Sequence, residues 1–300
     1  MSTATNVESK EPTELKVWID GKLVEKRAAK VSVYDHGFLY GDGIFEGIRV
    51  YHGKIFERDA HVERLFHSAK AIRLTIPLSA PQICAAMEEA VSANGFRDCY
   101  IRLIVTRGIG YLGLNPDRCE KPSVIVIADT ITMYPREMYE NGMAVVTSSV
   151  IRNHPNALSP RVKSLNYLNN ILAKIEANDA GVPEAVMLNG EGNVAECTGD
   201  NIFIVRGGLV HTPATHDGIL EGITRKVVIG LCSKLALSVI EKTLQRHDLY
   251  ISDECFLTGT AAEIIAVTKI DGRTIGDGKP GPITRRLTEA FQRHIREVAG

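Results

Sequence analysis

The 300 residues, 44% hydrophobic and 24% charged, describe an ordinary globular chain with room for one large or two medium domains. Lys and Arg number 35 against 36 Asp and Glu, a formal charge of -1, and no basic run exceeds a few residues; nucleic acid and anionic membrane are poor candidates for the main partner. The six cysteines, at 84, 99, 119, 197, 232 and 255, show no Cys-x-x-Cys pair and no metal-ligand spacing, so they read as reduced core thiols of a cytoplasmic protein. His61 and His67 cannot share a helix face as an i, i+4 pair would, and no structural metal is expected. Residues 1–14 are polar, with no apolar stretch of signal-peptide or membrane length, and are read as a flexible tail.

Residues 17–24 are expected to form a hairpin about Asp20-Gly21, and strand and turn chemistry continues through 31–34. The stretch 37–51 is rich in glycine and aromatics; if extended, it puts Phe45, Gly47 and Arg49 on one face. Asp59 is placed as the N-cap of a helix in which Val62, Leu65, Phe66, Ala69 and Ile72 recur at helical spacing, with Arg64 on the flank. A second helix over 83–91 follows, then a strand over 100–106 that points Tyr100, Arg102 and Ile104 one way, and a buried strand over 124–128. Residues 129–141 contain Pro135 and lack a period, so they are read as the connection between an N-terminal domain, 15–128, and a C-terminal one, 142–300.

The second half restarts with a strand over 144–150 and a loop over 153–160. Leu165, Leu168, Leu172 and Ile175 mark a helix that Gly181 ends, with Lys163 at its entry. Short strands are expected at 185–188, 194–197, 202–205 and 209–211, with turns at Asn189-Gly190 and Gly207-Gly208. Gly222 precedes a helix carrying Val227, Val228, Leu231 and Leu235. A strand over 255–257 runs into Thr258-Gly259-Thr260-Ala261-Ala262, and a final helix from Ile283 buries Leu287, Ala290, Phe291 and Ile295.

Lys163, Glu196 and the helix start at Gly222-Ile223-Thr224 come in an order that supplies an amine nucleophile, a carboxylate and a phosphate cradle, the parts a pyridoxal phosphate site needs. Singly they read as a solvated lysine, a strand glutamate and an ordinary helix start. A lysine bonded to that cofactor must lose its proton cheaply, which favours a half-buried hinge. Tyr167, four residues on, either reaches the cofactor's ring oxygen or packs on the helix; spacing leaves both open. Glu196 would pair with the ring nitrogen. The phosphate would take the first N–H groups of the helix at Ile223 and Thr224, the hydroxyls of Thr224 and Thr260, and the charge of Arg64.

From about residue 17 to the last helix the chain resembles the fold-type IV pyridoxal phosphate enzymes, and among them the branched-chain amino acid aminotransferases. The resemblance is carried by Tyr40-Gly41-Asp42-Gly43-Ile44-Phe45-Glu46-Gly47-Ile48-Arg49, Tyr100-Ile101-Arg102, Lys163 with Asn166-Tyr167, Glu196 with Gly199-Asp200-Asn201, Leu220 with Gly222-Ile223-Thr224-Arg225, and Gly259-Thr260-Ala261-Ala262-Glu263. It implies a mixed α+β chain of two domains, a small N-terminal α/β domain and a larger C-terminal pseudo-barrel, with the cofactor between them and a homodimer or an assembly of dimers.

The resemblance assigns Lys163 as the Schiff-base lysine and proton shuttle, and Tyr167 and Glu196 as partners of the ring oxygen and nitrogen. Leu220 packs on the ring, and Arg64, Ile223, Thr224 and Thr260 hold the phosphate. The substrate's α-carboxylate falls to the N–H groups of Thr260 and Ala261 and the Tyr100 hydroxyl. Tyr40, Phe45 and Gly47 shape an apolar pocket that Leu112 and Leu114 close from the neighbouring subunit. Arg102 lets the pocket accept glutamate, because a second carboxylate must be paired when buried.

Two features depart from the pattern. The one tryptophan is Trp18, which leaves Met133 and Tyr134 to form the wall that a tryptophan builds in many relatives, and the Cys-x-x-Cys redox pair of some animal members is missing. The resulting expectation is transamination of L-leucine, L-isoleucine and L-valine with 2-oxoglutarate, ping-pong through pyridoxamine phosphate. Small amino and oxo acids are the partners. The competing readings are a D-amino acid aminotransferase, an aminodeoxychorismate lyase, and a protein that binds a phosphorylated ligand without turnover.

Overall fold

Asp20 and Gly21 both take left-handed backbone, φ 48° and 90°, and so close β1 (Lys16–Ile19) tightly onto β2 (Lys22–Glu25), with Ile19 opposite Lys22. The computed structural model describes residues 14–131 and 134–299, so the tail expected over 1–14 lies almost wholly outside the described residues. Residues 31–34 pass into a turn rather than a strand. Asp35 then accepts from the N–H groups of Gly37 and Phe38, at 2.8 and 3.3 Å, and caps α1 (His36–Tyr40), which Gly41 ends at φ 69°. The extended run begins only after that stop, as β3 (Gly43–Tyr51), followed by β4 (Lys54–Ile55).

Helix α2 (Arg58–Ala71) starts after Glu57, which holds φ 49°; Asp59 sits in the first turn rather than at the N-cap. A Ser79–Gln82 capping box starts α3 (Ala80–Ala93), and Pro81 fits its first turn. Strands β5 (Cys99–Thr106) and β6 (Ser123–Asp129) complete a six-stranded sheet of order β2-β1-β6-β5-β3-β4. Helices α2 and α3 cover one face, where Leu65, Ile83, Met87, Ile44, Ile48 and Ile101 are fully buried. Trp18 packs into the same core and donates its indole N–H to Glu89 at 2.8 Å.

The connection to the second sheet holds a short helix that its composition did not announce, α4 (Arg136–Asn141). Then come β7 (Met143–Thr147), α5 (Leu168–Asp179), β8 (Glu184–Leu188), β9 (Val194–Cys197), β10 (Asn201–Arg206) and β11 (Leu209–Thr212). They are followed by α6 (Ile223–Lys234), β12 (Val239–Glu241), α7 (Arg246–Tyr250), β13 (Glu254–Gly259), β14 (Glu263–Ile270), β15 (Arg273–Thr274) and α8 (Pro282–Ala299). The nine strands run β12-β11-β10-β13-β14-β7-β8-β9, with β15 on β14. Helices α6 and α8 bury their apolar stripes on it around the stacked rings of Phe203 and Phe256, 4.9 Å apart. Tyr51 and Phe56 reach into this cluster from β3 and just beyond β4, which ties the two sheets together.

Two expectations about Lys163 and its helix need correction. Lys163 does not sit at a helix entry: α5 begins five residues later, and the Lys163 segment lies extended along β3, with Phe45 N–H on Lys163 O at 2.9 Å and Leu165 N–H on Gly43 O at 3.0 Å. The apolar residues that mark α5 do not face the core either. Leu168, Ile171, Leu172 and Ile175 are 65, 51, 45 and 47% exposed, while Asn170, Ala173 and Ala177 pack inward. Small residues let α5 lie close on β8 and leave an apolar stripe outside. Among the described residues no helix is long and apolar enough to cross a membrane.

Candidate functional site

A cavity of about 750 Å³ opens between the two sheets. From the first sheet it takes Phe45 and Gly47 of β3 and Tyr100, Arg102 and Ile104 of β5; from the second it takes Lys163, Tyr167, Thr198, Asp200, Thr260 and Ala261. The backbone bonds to β3 aim Lys163 inward, where its Nζ donates to Tyr167 Oη at 3.1 Å and lies 4.6 Å from the centre of the Phe45 ring. Phe45 and Tyr167 meet edge to face at 4.9 Å. The Tyr167 hydroxyl points at the lysine amine.

Gly47 is required by packing. A Cβ there would lie 1.8 Å from Tyr100 Oη, so only glycine leaves the hydroxyl its place. Burial pushes the Tyr100 phenol above its ordinary range, with Arg102 pulling the other way. The Arg102 guanidinium sits 4.5 Å from the Phe45 ring centre and 5.5 Å from that of Tyr100, a cation over two aromatic faces on the cavity wall. Ile131, Tyr134 and Pro135 supply the wall toward the connection; Met133 lies outside the described residues.

Glu196 is buried on β9 with both oxygens engaged. Oε1 accepts from Arg152 Nε at 2.9 Å, and Oε2 from the Leu220 N–H at 2.9 Å and Asn201 Nδ2 at 3.1 Å. Burial raises its pKa, opposed by the Arg152 charge and these hydrogen bonds. Sequence reading missed Arg152: its partner is 44 residues away, and the only hint available was that a buried glutamate needs a cation.

At the other end, Gly222 caps α6; a Cβ there would come within 2.0 Å of Asn201 Oδ1, and Ile223 and Thr224 are buried behind it. Arg64 places Nε and Nη2 on the two oxygens of Glu46, at 2.8 and 2.7 Å, and Nη1 on Glu221 O at 2.9 Å. His61 Nδ1 adds a contact to Glu46 at 2.7 Å. Burial alone would raise the Glu46 carboxyl, but the charge and hydrogen bonds of Arg64 and those of His61 bring it down to about 2, while burial lowers His61. Glu46 and His61 were also missed as site residues. Thr258, opposite Asn201 across the β10–β13 pair, buries a hydroxyl with no hydrogen-bond partner among the described residues.

Not every candidate converges. Tyr40 does not line its own chain's cavity: α1 carries it outward, and its hydroxyl accepts the Gly113 N–H at 2.9 Å. Leu112 and Leu114, 73 and 81% exposed, stand on the same tip. Arg64, Gly222 and Ile223 line a second cavity of about 670 Å³.

The model of the class IV amino-transferases matches residues 43–270. The Pseudomonas aeruginosa branched-chain-amino-acid aminotransferase is 40% identical over 281 residues, covering 92% of this chain and 91% of that protein. A Listeria monocytogenes D-alanine aminotransferase is 37% identical over 292 residues, 95% and 98% of the two chains. Among solved structures, the branched-chain amino acid aminotransferase from Thermobaculum terrenum in its PLP-form superposes with a TM-score of 0.87 at 33% identity, covering 96% of each chain. Lys163 and Tyr167 thus share one cavity in a chain that belongs to the class IV aminotransferase family, enzymes that transfer amino groups with pyridoxal phosphate.

Proposed function

We propose that this cavity transaminates L-leucine, L-isoleucine and L-valine with 2-oxoglutarate as the acceptor, using pyridoxal phosphate. The observation that carries the reading is the Lys163 amine, held by β3 backbone and hydrogen-bonded to Tyr167, in a cavity that Arg102 also lines. The cofactor fits the residues present. An amine, a buried glutamate and the first N–H groups of a helix start match its aldehyde, ring nitrogen and phosphate. When bound, it supplies a ring that accepts the electron pair released at the substrate's α-carbon.

Lys163 would hold the cofactor, and its Nζ would carry the proton taken from the substrate's α-carbon. Glu196, paired with Arg152, would partner the ring nitrogen; Tyr167 would partner the ring oxygen, and Leu220 would cover the ring. Ile223, Thr224, Thr260 and Arg64 hold the phosphate, with Glu46 and His61 fixing Arg64. Thr260 and Ala261 N–H groups and the Tyr100 hydroxyl take the α-carboxylate. Phe45, Gly47, Ile131 and Tyr134 suit an aliphatic side chain, and Arg102 swings from its aromatic perch to pair with the second carboxylate of glutamate.

The exposed tip of Tyr40, Leu112 and Leu114 and the outer stripe of α5 are too apolar to remain bare, which supports a homodimer in which the tip reaches the neighbouring cavity. The domain limits that go with this reading are 15–128 and 142–300, joined through 129–141. The free cysteines and the near-neutral charge suit a cytoplasmic enzyme acting on small molecules.

Borohydride reduction of the holoenzyme followed by peptide sequencing tests the core of the proposal: the cofactor label is expected on Lys163, and a label elsewhere overturns it. The D-alanine aminotransferase relative gives the second reading its weight. A half-reaction screen separates the two: fast loss of the pyridoxal absorbance with D-alanine and none with L-leucine would replace the substrate assignment and leave the mechanism standing. Release of pyruvate without an acceptor would favour a lyase.

A further inference from the structure

The turn Thr260-Ala261-Ala262 joins β13 to β14, and Gly259 pairs with Glu263 across its base. Glu263 holds φ 57°, the left-handed region where glycine is the ordinary occupant. A glutamate stays there only if its surroundings insist on it. They do: Oε1 accepts the Tyr51 hydroxyl of β3 at 2.7 Å, and Oε2 accepts the Gln292 side-chain amide of α8 at 2.6 Å. Gly259, at the other foot of the turn, has no room for a side chain, since a Cβ would meet Asp200 Oδ1 at 1.8 Å. The turn is therefore fixed at both feet, and one of its anchors comes from the strand that carries Phe45 and Gly47.

We propose that Glu263 is a positioning residue for the substrate carboxylate: clamped between Tyr51 and Gln292, it holds the left-handed backbone that aims the Thr260 and Ala261 N–H groups into the cavity. This rests on the reading of those N–H groups as the carboxylate donors. Any side chain other than glycine at 263 that lacks the clamp should let the turn relax and misdirect two charge-assisted hydrogen bonds.

The test uses holoenzyme and 4-methylpentanoate, a leucine-shaped carboxylate with no amine, with its dissociation constant read from the cofactor's absorbance. Glu263→Ala is expected to weaken it about tenfold, the loss typical of a misaligned charged hydrogen bond, with cofactor affinity within about twofold. Glu263→Gly, which adopts positive φ freely, should recover most of that loss although it also lacks the carboxylate. Tyr51→Phe removes one anchor atom with the least risk to folding and should weaken the analogue by a smaller factor.

The inference falls if Glu263→Ala binds the analogue as tightly as the parent, if the glycine variant is no better than the alanine one, or if cofactor affinity drops in step with analogue affinity. Tyr100→Phe tells the two levels apart. If it weakens the analogue while Glu263→Ala does not, the clamp alone is wrong; if neither does, the carboxylate site itself is misassigned.

Discussion

Glu46→Gln removes one charge from a fully buried group and leaves its shape almost unchanged. Its carboxyl titrates at about 2 against an ordinary 4.5, so the difference of about 2.5 units corresponds to about 3 kcal/mol of stabilisation near neutral pH. The cost of stranding one partner of a buried ion pair gives an independent figure, about 3–5 kcal/mol, and Arg64 would be that partner. The folded pKa is depressed, so this stabilisation is complete above about 4.5 and is lost as pH falls toward 2. The gap between parent and variant should accordingly be about 3 kcal/mol at pH 7 and narrow by about 2 kcal/mol at pH 3. Urea unfolding of the holoenzyme at fixed protein and cofactor concentrations measures it, with the one tryptophan, Trp18, reporting from the sheet that contains Glu46. Cofactor affinity should fall as well, because Arg64 loses the bidentate contact that sets its direction. A gap under about 1 kcal/mol, or one that does not change with pH, would refute the assignment of Glu46 as the anionic anchor.

Arg102→Met should slow the half-reaction with glutamate or 2-oxoglutarate by about 10–100-fold, the range for a lost charged hydrogen bond, and leave that with leucine within a few-fold; equal losses in single-turnover assays would remove Arg102 from the specificity argument. Gly47→Ala puts a methyl group where Tyr100 Oη now lies, and should raise KM for leucine about tenfold or more through the displaced hydroxyl; an unchanged KM, with Tyr100 in place in a structure of the variant, would contradict the packing. Burial and the neighbouring Glu184 charge push Asp200 from an ordinary 3.8 up to about 7. A raised acid pKa means the folded state binds the extra proton, so Asp200 opposes folding increasingly as pH rises from about 4 through 7. Asp200→Asn should then gain thermal stability at pH 8 relative to the parent, with a smaller gain at pH 5. The opposite order in a melting series would show that Asp200 is ionised and paired.

Local chemistry made much of the fold legible. The Asp20-Gly21 hairpin, the strands at 100–106 and 194–197 and the last helix follow from turn residues and periodicity that no distant contact overrides. Where reading failed, the deciding partner lay far off in the chain. The apolar positions of α5 announced a helix but not its orientation, since small residues turned out to face β8. Arg152, next to an undistinguished loop, gains meaning only when Glu196 folds against it, and Tyr40 could not be assigned to its own pocket or a neighbour's before α1 was seen to turn it outward. Lys163, Tyr167 and Glu196 could be singled out as candidates because they recur in an order and in local motifs that resemble a known family. Their supports could not, because a carboxylate such as Glu46 carries no local mark of the arginine it will hold.

One strand accounts for most of this arrangement. Along β3 the odd positions, Phe45, Gly47 and Tyr51, face the cavity and the second sheet, and the even ones, Ile44, Glu46 and Ile48, face α2 and the core. Its backbone meanwhile bonds the Lys163 segment on one edge and β5 on the other, fixing the distance from the amine to Tyr100 and Arg102. A slip of one residue would exchange the two sets, putting a bare carboxylate into the pocket and a phenyl ring where Arg64 needs its anion. Register at β3 is therefore the quantity that a substitution must not disturb. The buried ion pair beneath it, for all its desolvation cost, gives the strand a chemical reason to sit in one register only, since no other even position offers Arg64 and His61 an acceptor.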